Sequence, residues 1–293
     1  PTLGVLGATT LAREFHRSPE QAAGARPRRW VGGTLTVKVL TERSGSDEVN
    51  IMTALAGPRF VADGGEAPDG SRRLVLEGSS GTLYDRVVRA ESTVSLHTKL
   101  QLLADLLRAL QRMHESGFVH RDISPHNLHV FDDCVAPGTC RLKVGGFGSI
   151  CSIIGVIRPC GAQEPARASL YTAPEALRGD AAEDPKRDVF SAGVVAYAML
   201  LGHPPVANAS ARIVQDDPVK PLREQFPELA DLFDLLEKMT AASPEERCSA
   251  TEALQALTFL AEGLGMPIVE DGPQATGEGS QRIIEVMPAR RSK

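Results

Sequence analysis

The stretch DVFSAGVVAYAMLLG, residues 188–202, constrains this chain more than any other. Its apolar residues are nearly continuous, yet it is shorter than the roughly 18 residues of a membrane span. A helix that is apolar on every side must be surrounded by protein. Gly202 supplies the stop. The chain therefore has to build a helical domain around this segment, and other segments offer matching faces. In SLHTKLQLLADLLRALQRMHESG, the residues Leu96, Leu100, Leu103, Leu107 and Leu110 form a stripe, and Gly117 ends it. ELADLFDLLEKMT and SATEALQALTFLAEG are two further amphipathic helices.

Earlier in the chain the period changes. GGTLTVKVL (32–40) and RRLVLE (72–77) read as strands, with DEVNIMTAL (47–55) as a helix between them. TLYDRVV is a short helix candidate. NLHV and RLKV read as short strands joined by FDDCVAPGTC, and a loop through Pro159 and Pro165 leads to YTAPEAL. GPQATGEGSQ (272–281) reads as a tail. The plan is α+β and bilobal: a small strand-bearing lobe over 1–78, a larger helical lobe over 79–265, a tail over 266–293, and a cleft expected between the lobes.

Composition narrows the function. A net charge of −5 gives no general attraction to nucleic acid or anionic lipid. Aromatic residues at 4% provide little platform for stacking bases. The opening PTLGVLGATT lacks the basic start and apolar stretch of a secretory signal. Of five cysteines, Cys134, Cys140, Cys151 and Cys160 lie close together, and Cys248 stands apart as a buried small residue. Their spacings suit zinc poorly, because zinc knuckles pair cysteines two to four residues apart. Two local disulfides are expected, against the reading of all-free thiols, although four cysteines permit three connectivities. Disulfides imply an oxidising, secreted setting. NAS at Asn208–Ser210 is a glycosylation-type triplet that adds weak support.

The chemistry concentrates in HRDISPHNL (120–128). The pattern H-R-D-x4-N suits phosphoryl transfer: an Asp carboxylate takes a hydroxyl proton, and an Asn amide oxygen five residues on reaches a metal. The order of the later motifs matters as much. RLKV leads to GGFG, then TAPE (172–175), DVFSAG, and finally SPEERCSATEAL with Arg247.

These motifs, in this order, resemble the protein kinases over nearly the whole chain. The resemblance implies a role for each matching residue. Lys38 would hold the nucleotide's α- and β-phosphates, with Glu48 as its partner. Glu77 and Gly78 would lie at the hinge beside adenine. Asp122 would be the catalytic base and Asn127 a metal ligand. Glu175 would pair with Arg247, and Asp188 would hold the catalytic-loop backbone.

Two departures run against catalysis. Gly146 stands where D-F-G has its metal-binding Asp, and glycine brings no carboxylate to a magnesium ion. No G-x-G-x-x-G precedes Lys38: LGVLG (3–7) is too far away and VGG (31–33) does not fit. A kinase fold without that loop resembles the With-No-Gly-loop family of secreted apicomplexan kinases and pseudokinases. That resemblance implies secretion into the parasitophorous vacuole or cyst wall. The expectation is a pseudokinase: not an enzyme, binding no Mg-ATP, with Lys38, Glu48, Asp122 and Asn127 as remnants and Gly146 as a degraded metal site. It would be a monomeric scaffold or structural component with protein partners, no nucleic acid and no membrane span. The alternative is an active kinase with atypical nucleotide and metal binding.

Overall fold

The computed structural model describes residues 35–40, 60–66, 72–89, 94–131, 140–154, 160, 169–178, 184–205, 223–224 and 226–270. The chain divides into two compact units, with a boundary between Gly78 and Ser79.

The first unit holds three antiparallel strands: β1 (Leu35–Leu40), β2 (Phe60–Glu66) and β3 (Arg72–Glu77). Their spatial order is β1-β3-β2. Lys38 sits opposite Leu74 in the β1–β3 ladder. β2 pairs with β3 through two register shifts. The helix expected over 47–55, including Glu48, lies outside the described residues.

The second unit, Ser79–Glu270, carries the helices. In chain order it contains β4 (Gly81–Thr82), a wide helical turn over Tyr84–Val88, α1 (Leu96–Glu115), β5 (Phe118–Val119), β6 (Leu128–Phe131), β7 (Arg141–Val144) and β8 (Cys151–Ser152). Then come α2 (Pro174–Arg178), α3 (Lys186–Leu201), α4 (Ala230–Met239) and α5 (Ala250–Gly263). This mixed architecture, a sheet-bearing lobe and a helical lobe, is the one expected from the sequence.

The apolar segment becomes α3, and every residue from Arg187 to Met199 is buried. α1 packs against α3, α5 and β7, and α4 packs against α3 and α5. Along α1 the stripe residues Leu100, Leu103, Leu107 and Leu110 are buried, and so are Leu102 and Leu106. A helix wedged between neighbours buries more than one stripe, and each such leucine contributes about 1.5–3 kcal/mol.

Local signals set the helix ends. Ser95 caps α1 by accepting from the Thr98 N–H at 3.2 Å. Ser249 and Glu252 form a reciprocal capping box on α5. α3 ends at Gly202, whose φ of +79° is the left-handed conformation that glycine adopts readily.

One buried charge joins layers. The Asp105 carboxylate on α1 accepts from Arg141 Nε at 2.9 Å, Arg108 Nη1 at 3.0 Å and the Leu142 N–H at 3.0 Å. It thereby pins β7, which leads directly into Gly145 and Gly146. Among the described residues no helix is long and apolar enough to cross a membrane.

Candidate active site

The HRDISPHNL segment spans the gap between β5 and β6. Short strands fix its ends, and the first turn of α3 fixes its shape. Asp188, almost wholly buried, accepts from the His120 N–H at 2.8 Å, the Arg121 N–H at 2.9 Å and His114 Nε2 at 3.0 Å. Arg121 has a φ of +71°, which only a well-anchored non-glycine residue sustains. Burial alone would raise the Asp188 pKa. The His114 hydrogen bond and charge, His120 and the His120 N–H outweigh it and hold the carboxyl below its ordinary 3.8.

His120 is buried within this frame. Its Nε2 donates to the Gly145 carbonyl at 3.0 Å, and its Nδ1 accepts from the Asp122 N–H at 3.3 Å. Those partners assign the neutral ring protonated on Nε2. Burial pushes its pKa below the ordinary 6.5, against the opposing pull of Asp188, the Gly145 carbonyl and Asp122. His120 thus ties the start of the loop to the segment that carries Gly146.

Asn127 closes the loop. Its Nδ2 donates to the Asp122 carbonyl at 2.7 Å and to Asp122 Oδ2 at 2.9 Å. One carboxylate oxygen of Asp122 is thereby oriented, and Oδ1 is left for other work. The amide Oδ1 of Asn127 turns toward Gly146. A Cβ at residue 146 would lie 2.5 Å from both Cγ and Oδ1 of Asn127. Gly146 also has a φ of +79°. Glycine here is a steric and conformational requirement of this arrangement. Gly145 is similar: a Cβ there would lie 2.9 Å from the His129 ring. Phe147 is buried, with its ring centroid 5.5 Å from that of His120.

Among the described residues of this loop, the oxygens that could face a divalent cation are Asn127 Oδ1 and Asp122 Oδ1. Magnesium demands octahedral oxygen ligation but usually retains water and takes phosphate oxygens from its nucleotide, with one or two protein ligands. One or two protein oxygens would hold such an ion more weakly than a site with a carboxylate at 146.

Further along, Arg247 Nη1 and Nη2 donate to Glu175 Oε1 and Oε2 at 2.7 and 2.8 Å. Both side chains are buried, and the Arg247 guanidinium also lies 4.8 Å above the Phe190 ring. Its Nε donates to the Ala241 carbonyl at 2.7 Å. This pair ties α2 to the turn before α5.

Cys151 lies close to the catalytic loop, opposite Val119. Cys151, in β8, is joined to Cys160 by a disulfide, and Cys140 is also disulfide-bonded. Cys134 lies outside the described residues. Cys248 is free and buried. Lys38 is placed on β1 by its backbone, and Glu77 ends β3. Sequence reasoning misses His114 as a partner for Asp188, and it misses the Asp105 cluster. The available signal is the place of His114 in the last turn of α1, since a histidine there faces the segment beyond the helix.

The protein kinase domain model matches residues 36–259. The serine/threonine-protein kinase PknB of Mycobacterium tuberculosis is 30% identical over 224 residues, covering 71% of this chain and 34% of that protein. The serine/threonine-protein kinase cds1 of Schizosaccharomyces pombe is 32% identical over 191 residues, covering 60% of this chain and 38% of that protein. This chain thus spans about a third of the length of the curated relatives it matches. A solved structure of the Rad53 kinase domain and SCD2 in complex with AMPPNP aligns with a TM-score of 0.56 at 24% identity, covering 77% of this chain and 81% of that one.

These comparisons correct two expectations. A chain that is not an enzyme, and one that takes no Mg-ATP, were both inferred from Gly146 and the missing glycine loop. The relatives are serine/threonine-protein kinases, and the Rad53 neighbour holds AMPPNP. The physical reason lies in the loop itself. Asp122 and Asn127 are hydrogen-bonded to each other in a loop anchored by Asp188.

Proposed function

We propose that this chain, which belongs to the protein kinase family, is an active phosphotransferase acting on serine or threonine hydroxyls, with an atypical, weakly held metal site. The observation that carries this reading is the Asp122–Asn127 pair. Asn127 Nδ2 holds Asp122 Oδ2 at 2.9 Å, which leaves Oδ1 to accept the proton of an acceptor hydroxyl. Asp188 fixes the backbone on which Asp122 sits, and His120 fixes its distance from Gly145. Mg-ATP supplies the phosphoryl group and the cation that neutralises its charge. Asn127 Oδ1 is the atom that would hold that cation, and Lys38 would meet the phosphates. Without a carboxylate at 146, the cation depends more on phosphate oxygens and water than in a D-F-G site.

The nearer resemblance, to the With-No-Gly-loop family, is carried by sequence features before Lys38 and by Gly146. The PknB and cds1 relatives support membership at the level of the whole kinase family. The disulfides favour an oxidising setting and hence a secreted protein. Protein substrates are the partners this reading requires.

The test is calorimetric titration with ATP, with and without Mg²⁺. The expected result is binding that strengthens with Mg²⁺, and an Asn127→Ala variant that loses the strengthening. ATP binding that is absent, or indifferent to Mg²⁺ in the native protein, overturns the reading.

A further inference from the structure

The Cys151–Cys160 disulfide lies immediately beside the catalytic loop. Val119 pairs with Cys151 and Phe118 with Ser152 across the two-residue ladder of β5 and β8. The next residue after Val119 is His120. One flanking backbone bond extends the ladder, the Ile153 N–H donating to the Gly117 carbonyl at 2.8 Å, and a second ties Cys160 back to β8, its N–H donating to the Ser152 carbonyl at 3.0 Å. So the disulfide closes a loop whose near end is paired with the strand that feeds His120, Arg121 and Asp122.

The four residues of that pairing are buried, so packing and the disulfide together support a ladder with few backbone bonds. Both strands are two residues long. The Ser152 hydroxyl is buried and has no hydrogen-bond partner, which works against the strand. A cross-link favours the paired state by limiting the conformations of the open one. The two sulfurs also differ in access. Cys151 is fully buried, whereas Cys160 is half-buried, and Ile153 and Ile154 beside Cys151 are exposed.

We propose that Cys151–Cys160 is a thiol-exchange site, read by a low-molecular-weight thiol, whose reduction loosens the β5–β8 pairing in front of the catalytic loop. A thiolate attacks Sγ of Cys160, the more accessible sulfur. The S–S bond breaks, and Cys151 leaves as a thiolate and takes up a proton. A second thiol attacks the mixed disulfide on Cys160 and releases the external disulfide, leaving two protein thiols. In sum, one protein disulfide and two small thiols become one protein dithiol and one small disulfide. The oxidised form is the ordered one, and reduction weakens the support of His120–Asp122. The effect on phosphotransfer rests on the kinase reading. The opening of the ladder does not.

The experiment uses the full chain with Cys134→Ser and Cys140→Ser, so that one disulfide remains, and glutathione as the thiol. Alkylation and mass measurement count the thiols freed, and hydrogen exchange follows the Ile153 and Cys160 amides. Glutathione should free Cys151 and Cys160 in the folded protein. Exchange at both amides should then rise about tenfold or more. Oxidised glutathione should restore the slow rate. Should the double variant fail to fold, Cys160→Ser in the otherwise native chain must give the same acceleration. Faster exchange with phosphotransfer absent in both redox forms supports the thiol site and counts against the kinase reading. Phosphotransfer that falls about fivefold or more on reduction, and recovers on reoxidation, supports both. Resistance of the bond in the folded protein, or unchanged exchange after its reduction, overturns the proposal.

Discussion

The catalytic loop is held in opposite ways at its two ends. At the start, the buried Asp188 carboxylate gathers three donors from His114, His120 and Arg121. At the finish, Asn127 rests against Gly146, where there is no side chain at all. The first end is built from charge and directional hydrogen bonds, the second from close approach of a backbone. The difference separates two requirements that a D-F-G aspartate joins. The start of the loop is secured from the α3 side. The anchoring of His120 and Arg121 by Asp188 does not involve residue 146.

The largest effect should come from the charged end. Asp188→Ala leaves two backbone N–H groups and His114 without their acceptor inside the protein. The expected loss is about 4 kcal/mol of stability, measured by urea denaturation. A variant that stays within about 1 kcal/mol of the native protein breaks the contrast between the ends.

Arg247→Ala tests whether the buried pair further along obeys the same logic. It strands the Glu175 carboxylate in a buried site, and about 3 kcal/mol should be lost. Double-mutant analysis with Glu175→Ala should recover much of that, because the uncompensated charge is then gone.

Smaller still is the effect at the glycine end. Gly146→Ala places a Cβ 2.5 Å from Asn127 and keeps a φ of +79°. A cost of about 2 kcal/mol is expected, from backbone conformation and from displacing Asn127. Gly146→Asp should cost the same or more and should not tighten Mg-ATP, because the new side chain displaces the amide that serves the metal. Tighter Mg-ATP binding by Gly146→Asp would show that residue 146 is only an absent ligand.

The smallest effect is on pH. His120 is held below its ordinary 6.5, so its contribution to stability is complete above that value and declines as pH falls below it. Asp188 is held below its ordinary 3.8, so its contribution is present above that value and is lost only as pH falls further. Thermal melts should therefore show two acid steps, with the upper one absent in His120→Asn.

The sequence made some of this legible and concealed the rest for physical reasons. β3 and the apolar α3 were readable because burial on a defined face, or on all faces, leaves a strong pattern. β2 was not: Phe60–Glu66 contains two glycines and pairs through register shifts, so it shows no alternation. β4, β5 and β8 have two residues each, too few for any period. The site was legible as a list of residue types, because the H-R-D-x4-N spacing follows from chemistry. Its coupling was not: that Asn127 restrains Asp122, and that His114 supports Asp188, depends on contacts between distant segments. Gly146 illustrates the gap best. Its letter announced a lost ligand and led to the expectation of an inactive protein. Its surroundings show a residue that the position of Asn127 requires.

The kinase reading requires Asp122 to work as a base in this loop without a carboxylate at 146. Transfer of labelled γ-phosphate from Mg-ATP to a pool of serine- and threonine-containing peptides tests it most directly, with Asp122→Asn measured alongside. Transfer by the native protein is expected, with a loss of about 10²-fold or more in the variant and its melting temperature kept. Transfer by the native protein no faster than by Asp122→Asn would contradict it.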